Sequence, residues 1–192
     1  MKIVALFGSP RKDGNSAAVA EYFLRRAGQL GAEIERIYLN DLNFRGCQAC
    51  DGCKTVAETC VLHDELAPVL AAVHAADLLV LASPVYYGDV SAQLKAFIDR
   101  TYAFLVPGYI AADHPSRFPK RKPLVFILTQ GHRDPAWFAD ILPRYRDLFH
   151  WTGFAETHPL RIVDVYHRGD AAKRPEVAAE AEALAERMLG AS

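Results

Sequence analysis

The chain has 192 residues, of which 51% are hydrophobic and 23% are charged, and its formal net charge is −1. This length suits a single domain with a sizeable core, and the composition is that of an ordinary globular protein. A charge so close to neutral gives no general attraction to nucleic acid or to an anionic membrane, so we expect neither as a partner.

The first residues are apolar but do not read as a targeting signal. Gly8 ends the apolar run, and Arg11 and Lys12 stand where a signal peptide would have its cleavage region. No apolar run elsewhere reaches the ~20 residues of a membrane span. We therefore expect a cytoplasmic protein that begins with a buried strand.

Hydrophobic periodicity predicts strands that alternate with helices along the chain. Strands are predicted at Lys2–Phe7, Glu33–Leu39, Asp77–Ala82, Leu124–Thr129 and Thr157–Val165. Helices are predicted at Ser16–Leu30, Asp64–Ala75, Ala92–Ala103, Pro135–Trp151 and Pro175–Leu189. This alternation predicts an α/β fold with a doubly wound, five-stranded parallel sheet in the order 2-1-3-4-5.

No repeat or linker divides the sequence, so we expect one domain over residues 1–192, with a cysteine-rich loop at 46–61. Residues 104–122 contain several prolines and are expected to form a lid or a dimer contact. Trp137 and Trp151 flank a predicted helix and are expected in the core or at an interface.

The loop after the first strand, residues 8–16, predicts an anion site. Ligands of doubly wound sheets bind beyond the carboxyl ends of the strands, and the helix that follows offers unpaired N–H groups there. Ser9 and Ser16 add hydroxyl groups, and Arg11 adds a guanidinium. The spacing fits neither a nucleoside-triphosphate loop nor a dinucleotide fingerprint, which favours one phosphate without magnesium. An ordinary Ser/Gly turn with Ser16 as a helix cap is the alternative.

Two segments resemble the flavodoxin-like NADPH-dependent FMN reductase superfamily. The first is the loop Gly8–Ser16, and the second is Pro84–Gly88 followed by a helix that ends in Asp99-Arg100, although Ser91 stands where the superfamily usually has proline. The resemblance implies a flavodoxin-like fold, FMN as cofactor and NAD(P)H as electron donor. It also implies that the FMN phosphate is held by Ser9, Arg11, Asn15 and Ser16.

The flavin ring needs an apolar wall and close backbone groups. The segment after the third strand supplies both, and by the resemblance it contacts the isoalloxazine, with a third contact loop after the fourth strand. The expected ring contacts are Pro84, Val85, Tyr86, Tyr87, Gly88, Thr129 and Gly131. The two tyrosines could also be simple packing residues. Residues 165–170, before the last helix, resemble the superfamily as well.

The four cysteines are the most informative local pattern, and they lie together at Cys47, Cys50, Cys53 and Cys60. Such clustering argues for a metal site or redox chemistry rather than a disulfide framework. Compact C-x2-C-x2-C runs suit a [4Fe–4S] cluster, and the pattern resembles the iron–sulfur flavoprotein branch of the superfamily. A cluster-free thiol loop, as in flavin-only relatives, and a zinc site are the alternatives.

The resemblance implies an FMN-dependent NAD(P)H oxidoreductase that passes electrons to a quinone, a flavin or another small acceptor. Because the cofactor carries the chemistry, no catalytic side chain is assigned. A non-catalytic electron carrier that docks protein partners is the second hypothesis, and a thiol- or metal-based redox sensor is the third. We expect a homo-oligomer, either a dimer or a tetramer.

Overall fold

The computed structural model describes residues 1–190, so the last two residues of the predicted domain lie outside the described part. Strands and helices alternate as expected. In chain order they are β1 Lys2–Phe7, α1 Asn15–Gln29, β2 Glu33–Tyr38, α2 Gly52–Thr55, α3 Leu66–Ala75, β3 Leu78–Tyr86, β4 Asp89–Val90, α4 Ala92–Arg100, β5 Lys122–Thr129, α5 Ile141–Thr152, β6 Phe154–Ile162 and α6 Pro175–Leu189.

Five strands form a parallel sheet in the order β2-β1-β3-β5-β6. This confirms the predicted order 2-1-3-4-5, because the extra strand β4 only pairs antiparallel with the end of β3 and shifts the numbering. In the register of the central strands, Ile3 lies between Ile34 on β2 and Leu78 on β3. The carboxyl ends of these strands therefore meet at one edge of the sheet, where a ligand site is expected.

The sheet separates two hydrophobic clusters, as the alternation of side chains along a strand requires. On β1, Val4 and Leu6 join the cluster that includes α3, α4 and α5. Ile3, Ala5 and Phe7 join the other cluster, with α1 and α6. Both faces of the central strands are covered, which explains their continuous apolar sequences.

Two predicted helix boundaries are wrong. The helix predicted from Pro135 begins at Ile141, because residues 135–140 form turns; the carbonyl of Pro135 accepts a hydrogen bond from Arg161 Nη1 at 2.9 Å. The helix predicted to reach Ala103 ends at Arg100 and continues as a short 3-10 turn. At the start of α5 the non-helical turn includes a contact with a residue far along the chain, which periodicity does not record.

Residues 104–122 form a long loop, an excursion from the sheet, whose two arms are joined by hydrogen bonds near its base. The N–H of Val106 donates to the carbonyl of Pro115 at 2.8 Å. Near the tip, the ring of Tyr109 packs against that of Trp151, with ring centroids 5.7 Å apart. A role for this excursion as a lid or a dimer contact stays a prediction. No helix among residues 1–190 has the length and apolar character needed to cross a membrane.

Gly153 ends α5 and sets the start of the last strand, which begins at Phe154 rather than at the predicted Thr157. The φ of Gly153 is +105°, a backbone conformation that residues with a side chain rarely adopt. A Cβ at this position would also overlap Ser116 Oγ and lie 2.7 Å from Phe118 Cδ2. The sharp turn therefore requires glycine for both its backbone angle and its space.

We predict that Gly153→Ala lowers the free energy of unfolding by about 3 kcal/mol, because backbone strain and overpacking add at this position. Gly108→Ala is the matched control, since Gly108 also has a positive φ (+65°) but has open space around it. The control should lose only about 1 kcal/mol in urea denaturation. Equal losses in the two variants would contradict the packing argument.

Lys122 is a buried cation at the start of β5. Its Nζ donates to the carbonyls of Val73, at 3.1 Å, and His74, at the end of α3, and it lies 4.3 Å from the ring centroid of Phe118. Burial lowers the pKa of Lys122 to about 8. The folded protein therefore holds this proton less tightly than the unfolded chain does.

This lowered pKa predicts a stability that rises with pH. Between pH 8 and 10.5 the unfolded state keeps the Lys122 proton while the folded state releases it, so raising the pH favours folding. We expect Lys122→Met to remove a rise on the order of 2 kcal/mol from this window. Urea denaturation of both proteins across this pH range, with a reductant present, measures the difference. Parallel pH profiles would rule it out.

Candidate functional site

The loops after β1, β3 and β5 all lie at the carboxyl edge of the sheet. The first loop bonds β3 and the start of α4, and the loop after β5 bonds the end of β6. The N–H of Gly8 donates to the carbonyl of Ala82 at 2.8 Å, and Ser91 Oγ donates to the carbonyl of Gly8 at 2.7 Å. The N–H of Gln130 donates to the carbonyl of Ile162 at 2.9 Å. The segments predicted to hold the phosphate and the ring therefore lie together.

The contact between Gly8 and Ser91 requires glycine, because a Cβ at position 8 would lie 2.8 Å from both Ser91 Oγ and Leu94 Cβ. Ser91 caps α4 by accepting a hydrogen bond from the N–H of Leu94 at 3.3 Å. Its own N–H donates to Ser83 Oγ at 2.9 Å. Serine in place of the usual proline thus supplies a hydroxyl that joins the first loop to the second.

The start of α1 is a set of unused hydrogen-bond donors. Gly14 precedes the helix in an extended conformation, and no side chain caps it. The N–H groups of Asn15, Ser16 and Ala17 have no acceptor within residues 1–190. Ser16 is 2% exposed, and its hydroxyl forms no hydrogen bond within the same residues. Amides and a hydroxyl left free at a helix N-terminus fit a phosphate group.

Side chains of the loop complete this donor set. Ser9 is buried, and its Oγ accepts a hydrogen bond from the N–H of Arg11 at 3.1 Å. The Arg11 guanidinium is exposed and has no ion pair within the described part of the chain. The neighbouring Lys12 is paired with Asp41 at 2.6 Å, an interaction that raises the pKa of Lys12. Arg11 is therefore the available cation of the loop.

Asn15 has a task that the sequence did not reveal. Its Nδ2 donates to the carbonyls of Val165 at 3.1 Å and His167 at 2.9 Å. Its Oδ1 accepts from the N–H of Ala171 at 3.1 Å. The side chain thus fastens the first loop to the segment before α6, and only its backbone N–H is free. Its role as a phosphate ligand stays a prediction that rests on this N–H.

The second loop is a tight hairpin between β3 and β4. Tyr87 and Gly88 have φ of +49° and +78°, as two-residue hairpin turns require. For a tyrosine this conformation costs on the order of 1 kcal/mol. Tyr87 is fully exposed and Tyr86 is 44% exposed, so neither ring is a core packing residue. Such strain at an exposed aromatic turn is typical of a ligand site.

The hairpin is anchored to α5 through Asp89. Its carboxylate accepts hydrogen bonds from the hydroxyl of Tyr145 at 2.7 Å and from Arg144 Nη1 at 3.1 Å. Burial and the bond to Asp89 raise the pKa of Tyr145, so the hydroxyl remains a donor. Pro84 and Val85, at the start of this segment, are half-buried. The turn that carries the tyrosines is thus held on both sides.

The third predicted contact loop lies beside residues that sequence reasoning missed. Thr129 is buried, and a Cβ on Gly131 would lie 2.8 Å from Cδ2 of Tyr166, which is 78% exposed. Phe138 contacts the hairpin, with its ring 3.3 Å from a Cβ placed on Gly88. Tyr166 belongs to residues 165–170, a segment that resembles the FMN reductase superfamily. Nothing in the sequence indicated that Phe138 would lie at this site.

Trp137 lies at the same edge and not in the core, being 54% exposed. Its ring stacks on that of His132, with centroids 4.4 Å apart. Arg161 Nε and Nη2 donate to Gln130 Oε1 at 3.1 and 2.6 Å, and Arg161 Nη2 also donates to the carbonyl of Trp137. These bonds hold the third loop against the end of β6.

The cysteine-rich loop forms a second candidate site. Ala49 and Asp51 have φ of +50° and +53°, and these two residues turn the chain sharply. One pocket is lined by all four cysteines together with Arg100 and Tyr102. Cys53 is buried, Cys60 is half-buried and the other two thiols are exposed.

The donor set of this pocket fits an iron–sulfur cluster. Four thiols are the usual ligands of a [4Fe–4S] centre. Over residues 1–190, no three His, Cys, Asp or Glu side chains converge closely enough to share one metal ion. What fits the cluster is therefore the type and number of the ligands, since all four thiols line one pocket.

The chain is similar to known proteins both in sequence and in fold. A sequence model of the NADPH-dependent FMN reductase family matches residues 1–142. An iron-sulfur flavoprotein of Archaeoglobus fulgidus is 38% identical over 100 residues, which cover 52% of this chain and 45% of the relative. One of Methanocaldococcus jannaschii is 38% identical over 101 residues, or 53% of this chain and 52% of the relative. The chain spans about half the length of the curated relatives it matches.

Solved structures establish the flavodoxin-like fold. A NAD(P)H:quinone oxidoreductase from Methanothermobacter marburgensis has a TM-score of 0.75 at 19% identity, covering 98% of this chain and 96% of its own. An FMN-dependent NADH-azoreductase from Bacillus anthracis in complex with FMN has a TM-score of 0.74 at 16% identity, covering 98% of this chain and 99% of its own.

The two neighbouring cations of the first loop provide a matched test of the phosphate site. We expect Arg11→Gln to weaken FMN binding about tenfold, because a free guanidinium can form a charge-assisted hydrogen bond with the phosphate. Lys12→Gln removes the same charge, but this ammonium is bound to Asp41, so its effect should stay below about twofold.

The measurement is fluorescence quenching during titration of the apoprotein with FMN and, separately, with riboflavin. Riboflavin lacks the phosphate, so its affinity should be unaffected by Arg11→Gln. An equal loss of affinity for both ligands would place Arg11 away from the phosphate.

Proposed function

Because the chain belongs to the NADPH-dependent FMN reductase family, we propose that it binds FMN and transfers electrons from NAD(P)H to a quinone, a flavin or another small acceptor. The family match supports FMN-dependent oxidoreduction. The proposal adds the acceptor class, the residues of the site and a [4Fe–4S] cluster on the four cysteines.

The observation that carries the proposal is the set of free donors at the start of α1, held next to an exposed aromatic turn. The N–H groups of residues 15–17 and the hydroxyls of Ser9 and Ser16 would bind the phosphate, with Arg11 adding charge. The ring would lie along residues 84–88 and reach the loop at Thr129 and Gly131. Bound FMN would supply the electron-transfer chemistry, and the chain would orient the ring and its phosphate.

The cluster is supported by the shared pocket of the four thiols and by the names of the relatives. One element connects this pocket to the proposed ring site. The helix α4 begins beside Ser91 and ends at Arg100, and nine helical residues span about 13.5 Å. The cluster and the flavin would then be partners in electron transfer within one chain or across an oligomer.

A non-catalytic electron carrier is the competing function. Carriers that dock by charge need a strong field on one surface, and a net charge of −1 does not favour that mechanism. The cytoplasmic location, the single domain over residues 1–192 and the homo-oligomer stay predictions within this proposal.

Steady-state assay of the anaerobically purified holoprotein separates the two functions. We expect oxidation of NADPH or NADH that depends on an added quinone, that is lost from the apoprotein and that returns with FMN. A yellow protein whose flavin is reduced by dithionite but not by either nicotinamide would instead be a carrier.

Iron and acid-labile sulfide analysis tests the cluster separately. The double variant Cys47→Ala/Cys50→Ala should lose the iron and keep FMN, because these thiols lie outside the predicted flavin contacts. A wild-type protein without iron after anaerobic reconstitution would refute the cluster and leave the flavin function in place.

A further inference from the structure

Arg100 is a buried cation that contacts the cysteine pocket. It lies at the last position of α4 and is 1% exposed. A buried charge is costly unless it is paired and hydrogen-bonded, so the partners of Arg100 show what it does. Arg100 Nη1 donates to Asp64 Oδ2 and to the Arg45 carbonyl, both at 2.8 Å. Nη2 donates to Asp64 Oδ1 at 3.2 Å.

The carboxylate partner is itself fixed. Asp64 accepts hydrogen bonds from the N–H groups of Arg45 and Leu66, each at 3.2 Å. Although burial opposes ionisation, the hydrogen bonds from Arg100 and Arg45 keep the pKa of Asp64 below its ordinary value. The guanidinium is therefore held by an ionised, immobile carboxylate, and its plane has little freedom to turn.

The remaining donor of the Arg100 guanidinium is Nε, and it is directed at a cysteine. Arg100 Nε donates to Cys60 Sγ at 3.0 Å. A neutral thiol is only a weak acceptor, whereas a metal-bound sulfur keeps negative charge and accepts well. The only comparable contact at the other cysteines is weaker: Lys54 Nζ lies 3.5 Å from Cys53 Sγ, and within residues 1–190 no side chain donates to Cys47 or Cys50.

We propose that Arg100 is a positioning residue of the cluster, which fixes the Cys60 sulfur and raises the reduction potential of the centre. This inference rests on the cluster of the proposed function. When the cluster accepts one electron, its negative charge grows by one unit, and a donor and positive charge at its sulfur stabilise the reduced form more than the oxidised form. The electron comes from the flavin in turnover or from dithionite in a titration.

The test compares Arg100→Lys and Arg100→Met with wild type as anaerobic holoproteins. Lysine keeps the charge but cannot bond Asp64 and Cys60 with one planar fork, and methionine keeps most of the volume without charge. Arg25→Met is the matched control, because it removes an exposed cation and its 3.6 Å ion pair with Glu182 on the opposite face of the sheet.

Two readouts are taken besides turnover: the potential of the cluster from a spectroelectrochemical titration, with the bound flavin as internal reference, and the rate of iron release to a chelator. We expect both Arg100 variants to shift the cluster potential in the negative direction, methionine more than lysine, with the flavin potential unchanged. Loss of the hydrogen bond to Cys60 should also speed iron release about tenfold or more. Arg25→Met should match wild type.

Unchanged cluster potential and iron release in the Arg100 variants would overturn the inference. If Arg100→Met does not fold, as judged by lost FMN binding and circular dichroism, Arg100→Lys alone decides. If the wild type itself holds no iron and sulfide, both the inference and the cluster fail, and FMN binding with NAD(P)H oxidation then shows that the flavin function survives.

Discussion

The close approach of the first loop to the start of α4 is the constraint on which both sites depend. The hydroxyl of Ser91 can donate to the carbonyl of Gly8 only because position 8 has no side chain. This bond fixes the first loop against the segment that carries the aromatic turn. It also holds the start of the helix whose far end carries Arg100, so one contact joins the first loop, the segment of the predicted ring contacts and the helix that ends beside Cys60.

The rest of the site is distinguished by which hydrogen bonds are made and which are left open. Polar side chains at the carboxyl edge of the sheet form hydrogen bonds with distant partners. Asn15 bonds the segment before α6, Gln130 bonds Arg161, and Asp89 bonds Tyr145. The amides at the start of α1 are the exception. Because the first amides of a helix need partners from outside the helix, a cluster of free ones inside a rigid frame is suited to a ligand that completes it. The frame keeps the donors in place before that ligand arrives.

The sequence predicted what depends on local pattern. The strand order follows from alternation of elements, and the loops follow from their place after buried strands. It could not predict pairings between residues far apart in the chain, such as Asn15 with His167 or Arg100 with Cys60. The predicted start of α5 was wrong in the same way, since residues 135–140 form turns and Pro135 bonds the distant Arg161. Periodicity records which face a residue prefers, not which partner it finds.

The two ends of α4 differ in electrostatic character, and this difference gives Arg100 a second physical reason for its place. The N-terminal end of a helix favours negative charge and the C-terminal end disfavours it. An anionic cofactor near the Ser91 end would therefore be stabilised. An anionic cluster near the other end would be repelled by the partial negative charge of the last carbonyls. A cation in the last turn offsets that charge, and Arg100 occupies this position with its guanidinium turned to the sulfur. With a buried, hydrogen-bonded arginine as its last residue, α4 could then stabilise an anionic cofactor at its first end and an anionic cluster at its last.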